Sequence, residues 1–457
     1  MPAQSVDQLR NCFRGELIQP SDAAAYESAR KVYNGMIDKH PRLIARCVDV
    51  ADVIAAVKFG RENDLLTAIR GGGHSGAGLG TCDGGLVIDL SRMKGIRVNP
   101  DARIVRVEAG CVWGDVDHAT HAFGMATPSG FISTTGVGGL TLGGGIGYLT
   151  RRYGLTIDNL LSVDVILADG RFVTANHDVN SDLFWAVRGG GGNFGVVTSF
   201  EFRLRPVKMV HFGPTFWPLE EATSVLSAYR TFIAKAPEDV SGFFAFLIVP
   251  PVPLFPEHLH LKKVCGIVWC CTGSAETVEA ALKPMRTQGN PLFDHVGLAP
   301  FPAVQSIFDP LFVPGLQWYW RADNFTELSD EAVARHVEHG SKIPTMLSTM
   351  HLYPVNGAAQ RVGKNDTAYS FREALFAEVI VGVDPDPANR EKITSWCKEY
   401  WEALHPYSAG GAYVNFMMDE GQDRVQATYR DNYKRLASIK KKYDPKNFFR
   451  VNQNIPV

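Results

Sequence analysis

Apolar positions recur at helical spacing through residues 50–63, directly after a strand-like run at 42–47. Residues 66–70 then read as a strand that runs into a glycine loop, and 85–90 and 104–109 as two further strands. A short helix is predicted at 113–121. The β-branched run 163–167, turned by Ala168-Asp-Gly-Arg171 into Phe172-Val-Thr174, predicts a hairpin. Residues 1–205 are therefore expected to be α+β units arranged around three glycine loops.

After Pro206 the pattern changes. Strand-like stretches at 209–217, 242–249, 264–271, 346–354 and 374–383 alternate with helical stretches at 219–235, 275–288, 329–340 and 387–404. That spacing predicts a mostly antiparallel sheet covered by helices on one side. The block is poor in glycine and rich in aromatics, among them Phe243, Phe244, Phe246, Trp269, Trp318, Tyr319 and Trp320. Most are expected in the core, a few in a substrate pocket. From 411 onward one amphipathic helix is expected at 419–442, followed by an irregular polar–aromatic segment. The expected fold class is α+β, in two domains, as 457 residues already suggest.

Composition narrows the function classes. With 45% hydrophobic and 21% charged residues and a formal net charge of −2, the chain offers no electrostatic reason to bind nucleic acid or an anionic membrane. No run of 18 apolar residues exists to span a bilayer. The first residues lack a basic start and an apolar run, so no signal peptide is visible and a cytoplasmic location is expected. The eight cysteines form no CxxC pair and no metal-ligand spacing, which predicts buried free thiols and no metal site.

The candidate chemistry sits in the glycines. Arg70-Gly-Gly-Gly73-His74-Ser75 closes a glycine run with an imidazole, where phosphate loops present lysine, serine or threonine. Residues 136–147 hold seven glycines, a density that costs stability in regular structure and suits backbone lying against a flat or phosphorylated ligand. Gly190-Gly-Gly192-Asn-Phe-Gly195 matches the GxGxxG dinucleotide fingerprint. Its continuation, Val196-Val-Thr-Ser-Phe-Glu-Phe, predicts a strand where that fingerprint needs a helix, so a Rossmann site is disfavoured.

Taken together, the 70–75 loop, the 135–147 glycine region, Tyr153-Gly-Leu-Thr-Ile-Asp158-Asn159, Asp182-Leu-Phe-Trp185 through Val197, and Asp444-Pro-Lys-Asn447-Phe-Phe-Arg450 through Pro456 resemble the vanillyl-alcohol-oxidase/PCMH flavoproteins. Within these the resemblance is to berberine-bridge-enzyme-like oxidases, especially the bacterial 6-hydroxy-D-nicotine oxidase branch. It covers almost the whole chain.

The resemblance implies a PCMH-type FAD domain from 1–205 and 411–457, the latter a berberine-bridge-like segment returning to it, with a substrate domain at 206–410. It implies FAD bonded covalently through its C8-methyl to His74. A second tether, where relatives carry a cysteine, falls at Ile132 and should be absent. The implied cofactor-binding residues are Arg70, Gly71, Gly72, Gly73, His74, Ser75, Thr135, Gly136, Gly138, Gly139, Gly143, Gly144, Asp158, Asn159, Val197 and Asn452. Tyr413 and Asn415 match a Y-x-N segment beside the flavin's reactive face. Tyr413 is expected either to act as general base, which requires its pKa to fall from about 10, or to position substrate or flavin. Glu373 and Glu378 are alternative bases, expected instead as exposed strand charges, and a second family tyrosine falls at Ile146. Thr135, small for its place, leaves room for oxygen. The implied reaction is hydride transfer from a C–H next to a hydroxyl or amine of a small-molecule substrate to flavin N5, with O2 as acceptor giving H2O2. A dehydrogenase with another acceptor and an oxidative-cyclisation enzyme remain open.

Overall fold

The computed structural model describes residues 5–457. Three principal sheets organise it. The first joins Leu43–Arg46, Leu86–Asp89 and Thr67–Arg70 in parallel, with Glu16–Ile18 antiparallel at one edge. The second is antiparallel and orders Ile96–Asn99, Ile104–Glu108, Val196–Arg203, Leu160–Ile166 and Phe172–Asn176. The third has eight strands, all antiparallel, drawn from Met209–Pro218 through Phe376–Asp384.

The third sheet is two-sided, as period-2 alternation requires. Along Phe376–Asp384, Phe376 and Ile380 pack on Tyr229, Val333, Trp396 and Tyr400 of the covering helices Ala222–Lys235, Asp330–Gly340 and Arg390–Leu404. The intervening Ala377, Val379 and Val381 join the core shared with the first two sheets. The antiparallel sheet with helices on one face is thus as the sequence predicts. Glu378 departs from expectation: it is on the helix face and wholly buried, not an exposed strand charge. Burial first, then the neighbouring Asp323, pushes its carboxyl well above the usual range.

Two other departures concern elements. Gln317–Phe325 is a full strand, paired along its length with Phe376–Asp384. Its buried Gln317, Asp323 and Asn324 break the apolar signal that a strand at this depth usually shows. The expected helix 419–442 is two helices, Gln422–Tyr429 and Asn432–Tyr443, broken at Arg430, whose φ of 47° lies in the left-handed region.

Beyond the second helix the chain returns to the first two sheets. Lys440 is fully buried and donates to Asp444 Oδ2 at 2.7 Å, the Asn193 carbonyl at 2.7 Å and the Phe449 carbonyl at 2.8 Å. Asp444 accepts in turn from the Phe448 and Phe449 amides. A buried ammonium is tolerable only with such complete satisfaction, so these bonds fix the 444–455 segment against the 190–195 loop. All eight cysteines are free and seven are buried; Cys12 is exposed.

Candidate active site

A cavity of about 370 Å³ lies where the glycine loops meet the inner face of the third sheet. Its loop wall is backbone. Gly71, Gly72, Gly73, Gly136, Gly138, Gly139, Gly191, Gly192 and Gly195 line it, with Val197 and Asn452. Two of the loops interleave: a Cβ on Gly72 would stand 2.5 Å from the Gly136 nitrogen, and one on Gly136 would stand 2.4 Å from the Gly72 nitrogen. At Gly139 and Gly192 an added Cβ would meet nothing within 4 Å and would project into space instead. Asn452 donates to the Gly192 carbonyl at 3.2 Å, while its own Oδ1 is buried without a partner. Open glycine faces beside an orphaned acceptor fit a flat, polar-edged ligand such as FAD.

His74 lies at the cavity edge, its ring stacked on Tyr33 at 3.8 Å and 22°. Burial lowers its pKa to about 4, against a hydrogen bond to the Thr134 backbone that raises it. The imidazole is therefore neutral at neutral pH, with a lone pair available. Ile132 lines the cavity, and no cysteine does among the described residues.

Tyr413 and Asn415 line the cavity together. The Tyr413 oxygen accepts from the Gly145 amide at 2.8 Å and from Asn415 Nδ2 at 2.7 Å, and Asn415 Nδ2 also donates to the Leu140 carbonyl. Burial raises the phenol to about 12, although these donors and Ile146 pull it down. A general base here would need the opposite shift, so the tyrosine is a neutral phenol at neutral pH. The Gly143–Gly144 turn makes the space: a Cβ at Gly143 would fall 2.2 Å from Asn415 Oδ1, and one at Gly144 3.3 Å from the Tyr413 ring.

Fourteen of the residues singled out from the sequence therefore line one cavity: Arg70 through Ser75, Thr135, Gly136, Gly138, Gly139, Val197, Tyr413, Asn415 and Asn452. Four do not. Gly143 and Gly144 support Asn415 and Tyr413 from behind. Asp158 is buried in a two-pronged pair with Arg372 at 2.7 and 2.8 Å, and Asn159 ties the Tyr153 and Leu155 carbonyls. Asp158 joins the second sheet's surroundings to the 359–372 segment, and Asn159 ties the 153–155 turn to Arg205. Arg70 lines the cavity with its charge already paired to Asp89 at 2.7 Å. Glu373 lies at the surface beside Arg430.

Of the sheet wall, Trp318 and Trp320 are among the aromatics of which a few were expected in a substrate pocket; the polar residues beside them were not singled out. Thr349, His351, Tyr353, Trp318, Trp320, Val379 and Val381 line it. Thr349, His351 and Tyr353 share one face of Thr349–Pro354, while Met350 and Leu352 face the helices. That alternation of polar and apolar residues was the available signal. Trp320 lies against the glycine loop: a Cβ on Gly76 would fall 2.3 Å from its ring. Asn34 ties the two parts, donating to the Gly76 carbonyl at 2.8 Å and to the Trp318 carbonyl at 3.0 Å.

Known proteins resemble this chain in domain composition, sequence and overall fold. Residues 41–176 match the FAD binding domain model, and 412–456 the berberine and berberine-like model. The chain is 31% identical to the uncharacterized FAD-linked oxidoreductase YgaK of Bacillus subtilis over 95% of both chains. It is 28% identical to (R)-6-hydroxynicotine oxidase of Paenarthrobacter nicotinovorans over 97% of both. The crystal structure of 6-hydroxy-D-nicotine oxidase from Arthrobacter nicotinovorans superposes with a TM-score of 0.85 at 25% identity, covering 97% of this chain and 98% of that one.

Proposed function

This chain belongs to the berberine-like FAD-linked oxidoreductases, and from that premise we propose that it is an oxidase whose FAD is tethered once, at His74. The observation that carries this reading is a neutral, ring-stacked imidazole at the edge of a cavity walled by open glycine faces. A neutral nitrogen is the form that bonds to carbon. The absence of any cavity-lining cysteine among the described residues supports a single bond.

Residues 70–75, 135–139, 191–197 and 449–453 would hold the cofactor, with residues 1–205 and 411–457 forming its domain and 206–410 the substrate domain. When bound, FAD supplies a two-electron acceptor for a C–H next to a hydroxyl or amine, so that substrate and O2 give the carbonyl or imine product and H2O2. Tyr413 and Asn415 would touch the reacting edge. As a phenol whose oxygen already accepts from Gly145 and Asn415, Tyr413 donates its own hydrogen and orients the partner that receives it. Thr135 lines the cavity as a small side chain and leaves oxygen a way in. No helix among the described residues is long and apolar enough to cross a membrane.

The test is a screen of alcohols and amines for anaerobic bleaching of the yellow protein. An active compound should bleach it, and air should restore the colour with one H2O2 per substrate consumed. Recovery only on adding a dye acceptor would make the enzyme a dehydrogenase, and failure of every compound to bleach it would overturn the reading.

A further inference from the structure

The sheet wall carries information about the substrate. Thr349 Oγ1 donates to the Phe246 carbonyl at 2.8 Å, so its lone pairs face His351 Nε2 at 3.0 Å and take the proton there. Nδ1 of the neutral ring is then bare, and it accepts the Tyr353 hydroxyl at 2.6 Å. Burial keeps the ring neutral by lowering its pKa to about 3. Tyr353 has thus spent its only hydrogen inward, and its oxygen presents lone pairs alone.

The surroundings of the Tyr353 ring are aromatic. The Tyr353 ring stacks on Phe131 at 4.0 Å and 19°, and Phe243 and Phe416 stand at 5.1 and 5.9 Å. The residues lining the cavity include no aspartate or glutamate, and their one cationic side chain, Arg70, is already paired. A substrate ammonium would have to enter without a counter-charge, at a cost of several kcal/mol. Trp318 and Trp320 also line the cavity, and their indole N–H groups are buried without partners.

We propose that Tyr353, held by the Thr349–His351 chain, is a specificity-determining acceptor, and that the substrate is an uncharged, flat aromatic compound bearing a hydroxyl. The proposal rests on the reading of this cavity as the substrate chamber of a flavin oxidoreductase. It names the substrate class that the sequence left open. His351 acts through Tyr353 and is a positioning residue.

Binding to the yellow holoenzyme, followed by calorimetry, tests this without turnover, using 2-naphthol, 2-methoxynaphthalene and 2-naphthamidinium. None of these has a C–H next to a hydroxyl or amine. The naphthol should bind at least about tenfold more tightly than its methyl ether, a tenfold step being 1.4 kcal/mol, and the amidinium at least about a hundredfold more weakly. In Tyr353→Phe the naphthol should fall to the level of the ether. In His351→Leu the freed tyrosine hydroxyl can donate, so the ether should gain on the naphthol, a shift that a merely structural role for His351 would not produce. Amidinium binding as tight as naphthol, no binding of naphthol to the unaltered protein, or a preference for naphthol that survives Tyr353→Phe would each overturn the proposal. Ligands that bind as expected to a protein that no alcohol or amine bleaches would remove the oxidase reading and leave this one standing.

Discussion

On the loop wall of the cavity the groups that face inward are backbone, presented by glycines at 71–73, 136–139 and 191–195; on the sheet wall they are side chains, Trp318, Trp320, Thr349, His351 and Tyr353. Where the loops interlock, at Gly72 and Gly136, the loop wall tolerates almost no change, because its shape there is the chain itself. The sheet wall can change side chain by side chain while the strands keep their pairing. On the proposed function, cofactor recognition belongs to the first and substrate choice to the second, so the two walls should fail in different ways when altered.

The largest effect is expected at Gly72. An alanine Cβ would press on the Gly136 nitrogen from 2.5 Å, backbone against backbone, with no side chain to yield. Gly72→Ala should abolish recovery of folded yellow protein; normal yield and colour would show that the loops do not interlock. Next comes the buried pair behind the loop wall. Asp158→Ala strands Arg372, with side-chain exposures of 6% and 4%, and should cost about 3–5 kcal/mol in denaturant unfolding. The folded fraction should still carry flavin, and a selective loss of flavin would return Asp158 to the cofactor site.

Gly192→Ala separates shape from stability. Its Cβ meets nothing within 4 Å, so the melting temperature of flavin-free protein should stay put while flavin content drops. Unchanged flavin content would mean that this face does not touch the cofactor. The smallest effect concerns pH. His351, lowered to about 3 in the fold from an unperturbed value near 6.5, binds fewer protons folded than unfolded between those values. Its contribution to stability is complete above about pH 6.5 and is lost as pH falls toward 3. His351→Gln should therefore show a shallower fall in melting temperature between pH 7 and 4.5 than the unaltered protein. Parallel curves would contradict the burial of a neutral ring.

The same contrast explains what could be read from the sequence. Glycine runs keep their meaning in one dimension, so the 70–75, 135–139 and 190–197 segments were legible as one site, and the strand at Val196–Arg203 rightly counted against a Rossmann reading. Five strands of the third sheet and its covering helices followed from apolar periodicity, whereas Gln317–Phe325, with its buried polar residues, did not. Asp158 and Asn159 lie off the cavity lining, because neighbours in sequence to a glycine loop need not face the same space; their partners lie at 372 and at 153–155. Glu378 went to the other face of the sheet because a strand's register decides its side, and one residue inverts it. Tyr353 and His351 were hidden for the reverse reason: their role comes from Phe131 and Phe246, more than a hundred residues away along the chain.

The central claim is the single covalent anchor, and intact mass of the acid-denatured protein followed by peptide mapping tests it most directly. The account predicts one FAD retained per chain, carried by the peptide containing His74 and lost in His74→Ala, with no second attachment. Release of all flavin on denaturation, or its retention on any other residue, would contradict it.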